Sequence, residues 1–489
     1  MARQLLAIKS IEQLHAQEAS GNQLRRTLTA TQLTLLGIGG IIGTGIFVLT
    51  GTAAANHAGP ALALSFIVAG FACTLAGLCY AEFAAMIPVS GSAYSYSYAT
   101  LGEGIAWFIG WNLILEYLFA VATVSVGWSG YAVSLLDQLH LHIPTALASA
   151  PLGQAGDAFN IVRSGAIINL PAMAIVAAIS TICYIGIKQS ASFNSVIVAI
   201  KVTVVVLFIV FGMSYINTAN WHPFIPPNTG ETGVFGWSGI MGAAGVIFFA
   251  YIGFDAISTA AQETKNPQRD MPIGILASLV VCTILYVAVA TVLTGMVSYK
   301  ELDVAAPVAL ALDKYQGLHW LGIPLKLGAA AGMTSVMLVM TIAQARIFFA
   351  MARDGLLPPV FGRVHPRFRT PSTGTIVTGV SAAIIGGLFP VKILGEVVSI
   401  GTLAAFVTVC IGVLVLRRTR PDLPRPFRAP WPWFTCIAGA LICGYMMYSL
   451  GTATWWRLAI WTAIGILVYV FYGYKHSKVG SAAAAAAAA

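Results

Sequence analysis

Five glycines crowd the middle of the first long apolar segment, Thr34 to Asn56, in the run Gly37-Ile-Gly-Gly-Ile-Ile-Gly43-Thr-Gly45-Ile-Phe47. The segment is long enough to cross a bilayer, which takes about 20 residues. Glycine so dense weakens a helix at a depth where lipid cannot replace its hydrogen bonds. Non-helical backbone survives there only when it lines a cavity or is covered by protein. A helix broken near the bilayer centre exposes backbone N–H groups that suit an anionic group such as a carboxylate. The bland alternative is that these glycines only let helices pack closely, as in Gly39-x-x-x-Gly43.

Composition sets the class. The chain is 58% hydrophobic and 9% charged over 489 residues, far from a soluble protein, where about 25% is charged. It reads as a polytopic all-α membrane protein in contact with lipid. The formal charge of +9 lies in loops, which fits the positive-inside rule and not a nucleic-acid partner. The seven cysteines all fall in apolar stretches without metal-ligand spacing, so free thiols and no metal are expected. No cofactor motif is present. A Gly-Lys-Ser/Thr phosphate loop, a His-Glu-x-x-His pair and a nucleophile elbow are all missing, so an ATP-driven pump or membrane enzyme lacks its parts.

Hydropathy predicts twelve spans: 34–56, 61–81, 105–135, 167–187, 192–214, 237–262, 273–297, 327–352, 372–390, 395–416, 431–450 and 454–474. They follow a polar segment, 1–33, and precede a tail, 480–489, that reads as a tag scar or an unassigned stretch. The polar stretch Ser90–Tyr98 reads as an interfacial element. With cytoplasmic termini, eighteen Lys and Arg fall inside and six outside, the bias expected of a cell-membrane protein in that orientation. The sixth span is the second glycine-rich one, with Gly239, Gly242, Gly245 and Gly253. It lies five spans after the first. An odd offset puts units 34–214 and 237–416 in opposite orientations, the pattern of an inverted repeat whose two discontinuous helices meet at the substrate. Spans eleven and twelve, 431–474, are additions.

Depth brings the unusual residues together. At 1.5 Å per residue, Gly43, Glu116, Lys201 and Gly253 all lie roughly 14–17 Å into their spans, near the middle of a core about 30 Å thick. A charge there costs about 2.5–3.5 kcal/mol on insertion scales and must face protein or water. A lysine out of water gives up its proton more easily. Lys201 is therefore either a proton-coupling group, a fixed cation where another transporter binds sodium, or a structural lysine tied to helix-end carbonyls. Glu116 reads as a contact for a cationic substrate, a participant in proton movement, or a support between helices. Asp255 follows the sixth-span break and caps the second half-helix or touches substrate. Phe249, within Phe248-Phe-Ala-Tyr251, either covers a substrate as a gate or packs as aromatics do in ordinary membrane helices.

Four stretches carry a likeness: Leu36–Phe47, Trp111-Asn-Leu-Ile-Leu-Glu-Tyr117, Gly253-Phe-Asp-Ala-Ile-Ser258 with Lys265-Asn-Pro-Gln-Arg-Asp-Met-Pro272, and Ala345–Gly355. Through them the chain resembles the amino acid–polyamine–organocation superfamily, most closely bacterial relatives of the cationic amino acid transporters. The resemblance implies a LeuT-like fold of twelve transmembrane helices, a five-plus-five inverted repeat with broken helices 1 and 6 plus two extra helices. It implies that the substrate carboxylate meets the N–H groups around Gly43, Thr44 and Gly45. The ammonium would meet carbonyls of Ile41, Phe249, Ala250 and Ile252, with Phe249 as the gate. Lys201 would stand in place of a sodium ion, with Thr334 and Ser335 near it.

The resulting expectation is proton-coupled transport of L-amino acids, small neutral ones and possibly cationic ones, by alternating access. An exchanger or polyamine carrier is the alternative within transport. A non-transporting amino-acid sensor is the alternative outside it.

Overall fold

A computed structural model describes residues 2–10, 28–87, 92–154, 161–186, 191–258 and 260–480. The counted charges Arg25, Arg26 and Lys188, the start of the polar stretch at Ser90 and Gly91, and the alanine tail 481–489 lie outside the described residues. The described chain is helical except for its connections and one two-stranded antiparallel ribbon, Leu152–Gln154 with Ile161–Arg163. This is a multi-pass architecture. Eight helices are long and apolar enough to cross a membrane, and Ala30–Ile41, Leu170–Ile185 and Ser372–Leu388 are shorter apolar helices. One of the eight, Gly45–Met86, runs for 42 residues. That is about 60 Å of helix, twice the thickness of the hydrocarbon core. It turns at Gly59, whose φ of +62° a side chain would resist, so it supplies the end of span one and all of span two.

Span one begins earlier than its apolarity suggests. Thr29 Oγ1 accepts from the Gln32 N–H, and Gln32 Oε1 accepts from the Thr29 N–H. This reciprocal cap starts the helix at Ala30. The helix stops at Ile41, because Ile42 is extended with ψ of 102°. It resumes as a π-helical turn, Gly45–Leu49. Span six behaves the same way. Gly236–Ile247 is α-helical, Phe248–Tyr251 tightens to a 3₁₀ turn, Gly253 takes φ of +122°, and Phe254–Ser258 continues. Spans two, three and four pack along spans seven, eight and nine, the helices five places later in each case.

The chain ends are woven into one face. Lys9 Nζ lies 2.6 Å from Asp354 Oδ1, with both side chains buried. Tyr94 OH donates to the other Asp354 oxygen at 2.7 Å, and the Lys478 N–H donates to the Asp354 carbonyl at 3.1 Å. Glu103 accepts from Tyr98 at 2.8 Å, from Tyr469 at 2.7 Å and from the Ser477 hydroxyl. Helix Ser92–Thr100 is buried along its whole length. The hydroxyls of Tyr94 and Tyr98 answer two buried acids there.

Candidate substrate and coupling site

The two breaks touch backbone to backbone. A Cβ on Gly45 would sit 2.3 Å from Ala250 Cα, and one on Gly253 would sit 2.7 Å from the Gly40 carbonyl. Glycine at both positions permits the approach. Each break interrupts the i→i−4 ladder, so N–H and C=O groups of the two half-helices end in one small, dry region. Thr44 is fully buried, and Ile41, Phe249, Ala250 and Ile252 are all at most 6% exposed. Gly43 faces Val336, at 3.0 Å from an added Cβ. Thr44 packs against Gly127 of span three, with Oγ1 3.5 Å from the Val124 carbonyl. That contact is long for a hydroxyl donor, so Thr44 Oγ1 is only loosely held by protein.

Lys201 is fully buried in helix Ala191–Gly212. Its ammonium donates to the carbonyls of Gly39 at 2.5 Å and Ile42 at 3.0 Å, and reaches Ser335 Oγ at 3.4 Å. Both carbonyls belong to the end of the first half-helix, where the partial charge is negative. One cation therefore ties spans one, five and eight. Thr334 does not join it. That hydroxyl donates back to the Ala330 carbonyl of its own helix at 2.8 Å.

A second polar cluster lies beside the sixth-span break. Asp255 Oδ1 accepts from the Gly253 N–H at 3.2 Å, and Oδ2 accepts from Tyr117 OH at 2.5 Å. The carboxylate thus caps the resumed half-helix and binds it to span three. Glu116, one residue before Tyr117, is buried, and its Oε1 has no partner among the described residues. Glu116 and Asp255 act on one another electrostatically. Arg346 pairs with Glu263 at 3.6 Å and Glu396 with Arg457 at 2.9 Å, both away from the breaks. All seven cysteines are free.

Sequence reading missed Tyr286. Its hydroxyl reaches the Ile41 carbonyl at 2.9 Å and the Ala250 carbonyl at 2.8 Å. One phenol on span seven therefore spans both breaks. The sequence signal was slight: the one aromatic residue of span seven, at mid-depth.

With this geometry in place, the comparisons carry weight. A family profile described as amino acid permease matches residues 28–472. The chain is 50% identical to a methylthioribose transporter of Bacillus subtilis, over 96% of this chain and 98% of that one. It is 48% identical to a branched-chain amino acid permease of the same organism, again over 96% and 98%. It is 38% identical to the vacuolar cationic amino acid transporter 4 of Arabidopsis thaliana, over 86% of this chain and 68% of that one.

Proposed function

The chain belongs to the amino acid permease family, a family of transporters and not of enzymes, and from that premise we propose that it carries L-amino acids across the cell membrane by proton-coupled alternating access. The observation that carries this reading is the contact of the two breaks at Gly45 and Ala250 with Lys201 bonded beside them. The substrate carboxylate takes the N–H groups around Gly43, Thr44 and Gly45, together with the Thr44 hydroxyl. The ammonium takes the carbonyls of Ile41, Phe249, Ala250 and Ile252. The Tyr286 hydroxyl lies within reach of two of these carbonyls, its single proton serving one at a time. An sp² oxygen has two lone pairs, so both keep capacity for an ammonium. The pairing of spans two to four with spans seven to nine supports a LeuT-like fold of twelve crossings in two inverted units. The charge bias supports cytoplasmic termini.

In this reading substrate entry separates Gly45 from Ala250, and Phe249 covers the occupied site. Phe249→Ala is expected to cut uptake about tenfold or more at unchanged expression, because an unsealed site leaks substrate back. Normal uptake by a well-expressed variant would leave the ring a packing residue.

Backbone reading of both charged ends predicts a competition pattern. Alanine, leucine and arginine are expected to displace one another in a binding assay, whereas agmatine and putrescine are not. Agmatine competing as well as arginine would refute the carboxylate site. The same assay addresses a second reading. A relative 50% identical is a methylthioribose transporter, and methylthioribose carries neither carboxylate nor ammonium. Displacement by methylthioribose but by no amino acid would favour that substrate.

A further inference from the structure

Three buried thiols meet outside the site. Cys79 Sγ on span two lies 3.6 Å from Cys436 Sγ on span eleven, and Cys410 of span ten is a second thiol partner of Cys79. All three residues are fully buried. An added Cβ on Gly439 of span eleven would sit 3.1 Å from Cys410 Sγ, so spans ten and eleven close over the same spot. No step of the proposed transport uses these groups.

The three spans have different neighbours. Span two lies along span seven, where an added Cβ on Gly70 would sit 2.7 Å from Thr283 Oγ1 and one on Gly77 would sit 2.8 Å from Leu279 Cδ1. Span seven carries Tyr286, which reaches both breaks. Span ten lies along span three, where an added Cβ on Gly401 would sit 2.9 Å from Leu115 Cδ2. Span eleven packs along span ten. The thiols therefore sit on a seam between the span-seven side and the span-three side. About one turn beyond Cys79, an ion pair crosses the same seam. Glu82 accepts from Arg417 Nε at 2.9 Å, and Arg417 lies in the last turn of span ten. An ion pair parts and reforms as helices move. A disulfide holds until it is reduced.

We infer that Cys79, Cys410 and Cys436 form an oxidant-sensitive stop, in which a disulfide from Cys79 to either of the other two fixes span two to spans ten and eleven and halts transport. The oxidant is a peroxide. Hydrogen peroxide oxidises one thiol to a sulfenic acid and leaves as water, and the neighbouring thiol then displaces the hydroxyl as a second water while the S–S bond forms. The pair of thiols gives up two electrons and two protons, and one peroxide becomes two waters. A small-molecule dithiol reverses the step by exchange. Burial slows the first oxidation, so the stop answers sustained oxidant and not a brief pulse. It goes beyond the amino acid reading, since it needs only that span two shifts against spans ten and eleven during transport.

The test has a chemical and a functional arm. The full chain in liposomes is held in hydrogen peroxide, and its peptides are mapped by mass spectrometry without reducing agent. A disulfide-linked pair joining Cys79 to Cys436 or Cys410 is expected. Uptake of whichever of L-leucine, L-alanine and methylthioribose the parent protein carries should fall about tenfold or more, and dithiothreitol should restore it. Cys79→Ala, with Cys79→Ser as a second form of the same change, should give no such pair and keep most of its uptake in peroxide. The Cys410→Ala/Cys436→Ala double variant should behave likewise. Absence of the linked pair overturns the inference, whatever the substrate. So does a pair that forms with uptake unchanged, or an equal loss of uptake in Cys79→Ala. Entry of methylthioribose but of neither amino acid would refute the central-site reading alone, and the stop is then judged on methylthioribose.

Discussion

In liposomes with an imposed pH gradient, Lys201→Ala protein is expected to let substrate equilibrate but not accumulate. Among the described residues Lys201 is the one cation that touches the first break, and its ammonium holds the carbonyls of Gly39 and Ile42 and the hydroxyl of Ser335. Hydrogen bonds to a charged donor are worth about 1.5–3 kcal/mol each. Losing the proton removes that charge assistance from a joint between three helices. A bias of about 1.4 kcal/mol is already tenfold in an equilibrium between conformations. Alternation of Lys201 between ammonium and amine would therefore couple proton movement to the relative position of spans one, five and eight. Alanine leaves the joint permanently uncharged, so exchange at equal pH can persist while gradient-driven accumulation is lost. Undiminished accumulation in Lys201→Ala would sink the assignment. So would uptake by the parent protein driven by a sodium gradient alone.

Gly45→Ala is expected to reduce uptake at least a hundredfold, either in folded protein or through loss of it. The added methyl would lie 2.3 Å from both Cα and Cβ of Ala250, and neither is the movable end of a long side chain. Overpacking in a well-packed core costs about 1–3 kcal/mol when side chains can yield, and here backbone would have to. The control is Gly444→Ala, in helix Pro432–Ser449, where an added Cβ meets nothing within 4 Å. That change should leave uptake and elution on gel filtration unaltered, since alanine is the better helix former by about 1 kcal/mol. Parent-like uptake by Gly45→Ala would mean that the two breaks are not as close in the working protein as Gly45 and Ala250 are here.

The parts of this site that follow from sequence are those set by depth. Counting residues put Gly43, Lys201 and Gly253 at one level, and the structure has Lys201 bonded to the end of the first half-helix. Depth fixes height but not direction. Thr334 and Ser335 are neighbours at one height, yet successive helical residues point about 100° apart, and only Ser335 faces Lys201. Tyr286 was illegible for the same reason, because its importance comes from the side of span seven it occupies. Span one was read from Thr34 because hydropathy marks the apolar stretch. Its start at Ala30 is marked instead by a capping pair, Thr29 and Gln32. The chain-end network had no sequence signal at all. Lys9 counts as one more basic residue before span one, and its partner Asp354 is 345 positions away.

That network bears on which parts of the molecule stand still. Asp354 ends the helix that carries Ser335 nineteen residues earlier, or about 28 Å along a stiff rod. Glu103 begins the helix that carries Glu116 and Tyr117. The segment holding Lys9 bonds to both ends, and Tyr469, Ser477 and Lys478 hold them from the other side. Two long rods packed side by side and clamped at a shared end behave as a chassis. Burying the Lys9–Asp354 pair makes the clamp sensitive to loss of either partner, since an uncompensated buried charge costs about 3–5 kcal/mol. Against such a chassis the broken helices, each a pair of short pieces, are the components we expect to move as the two breaks part.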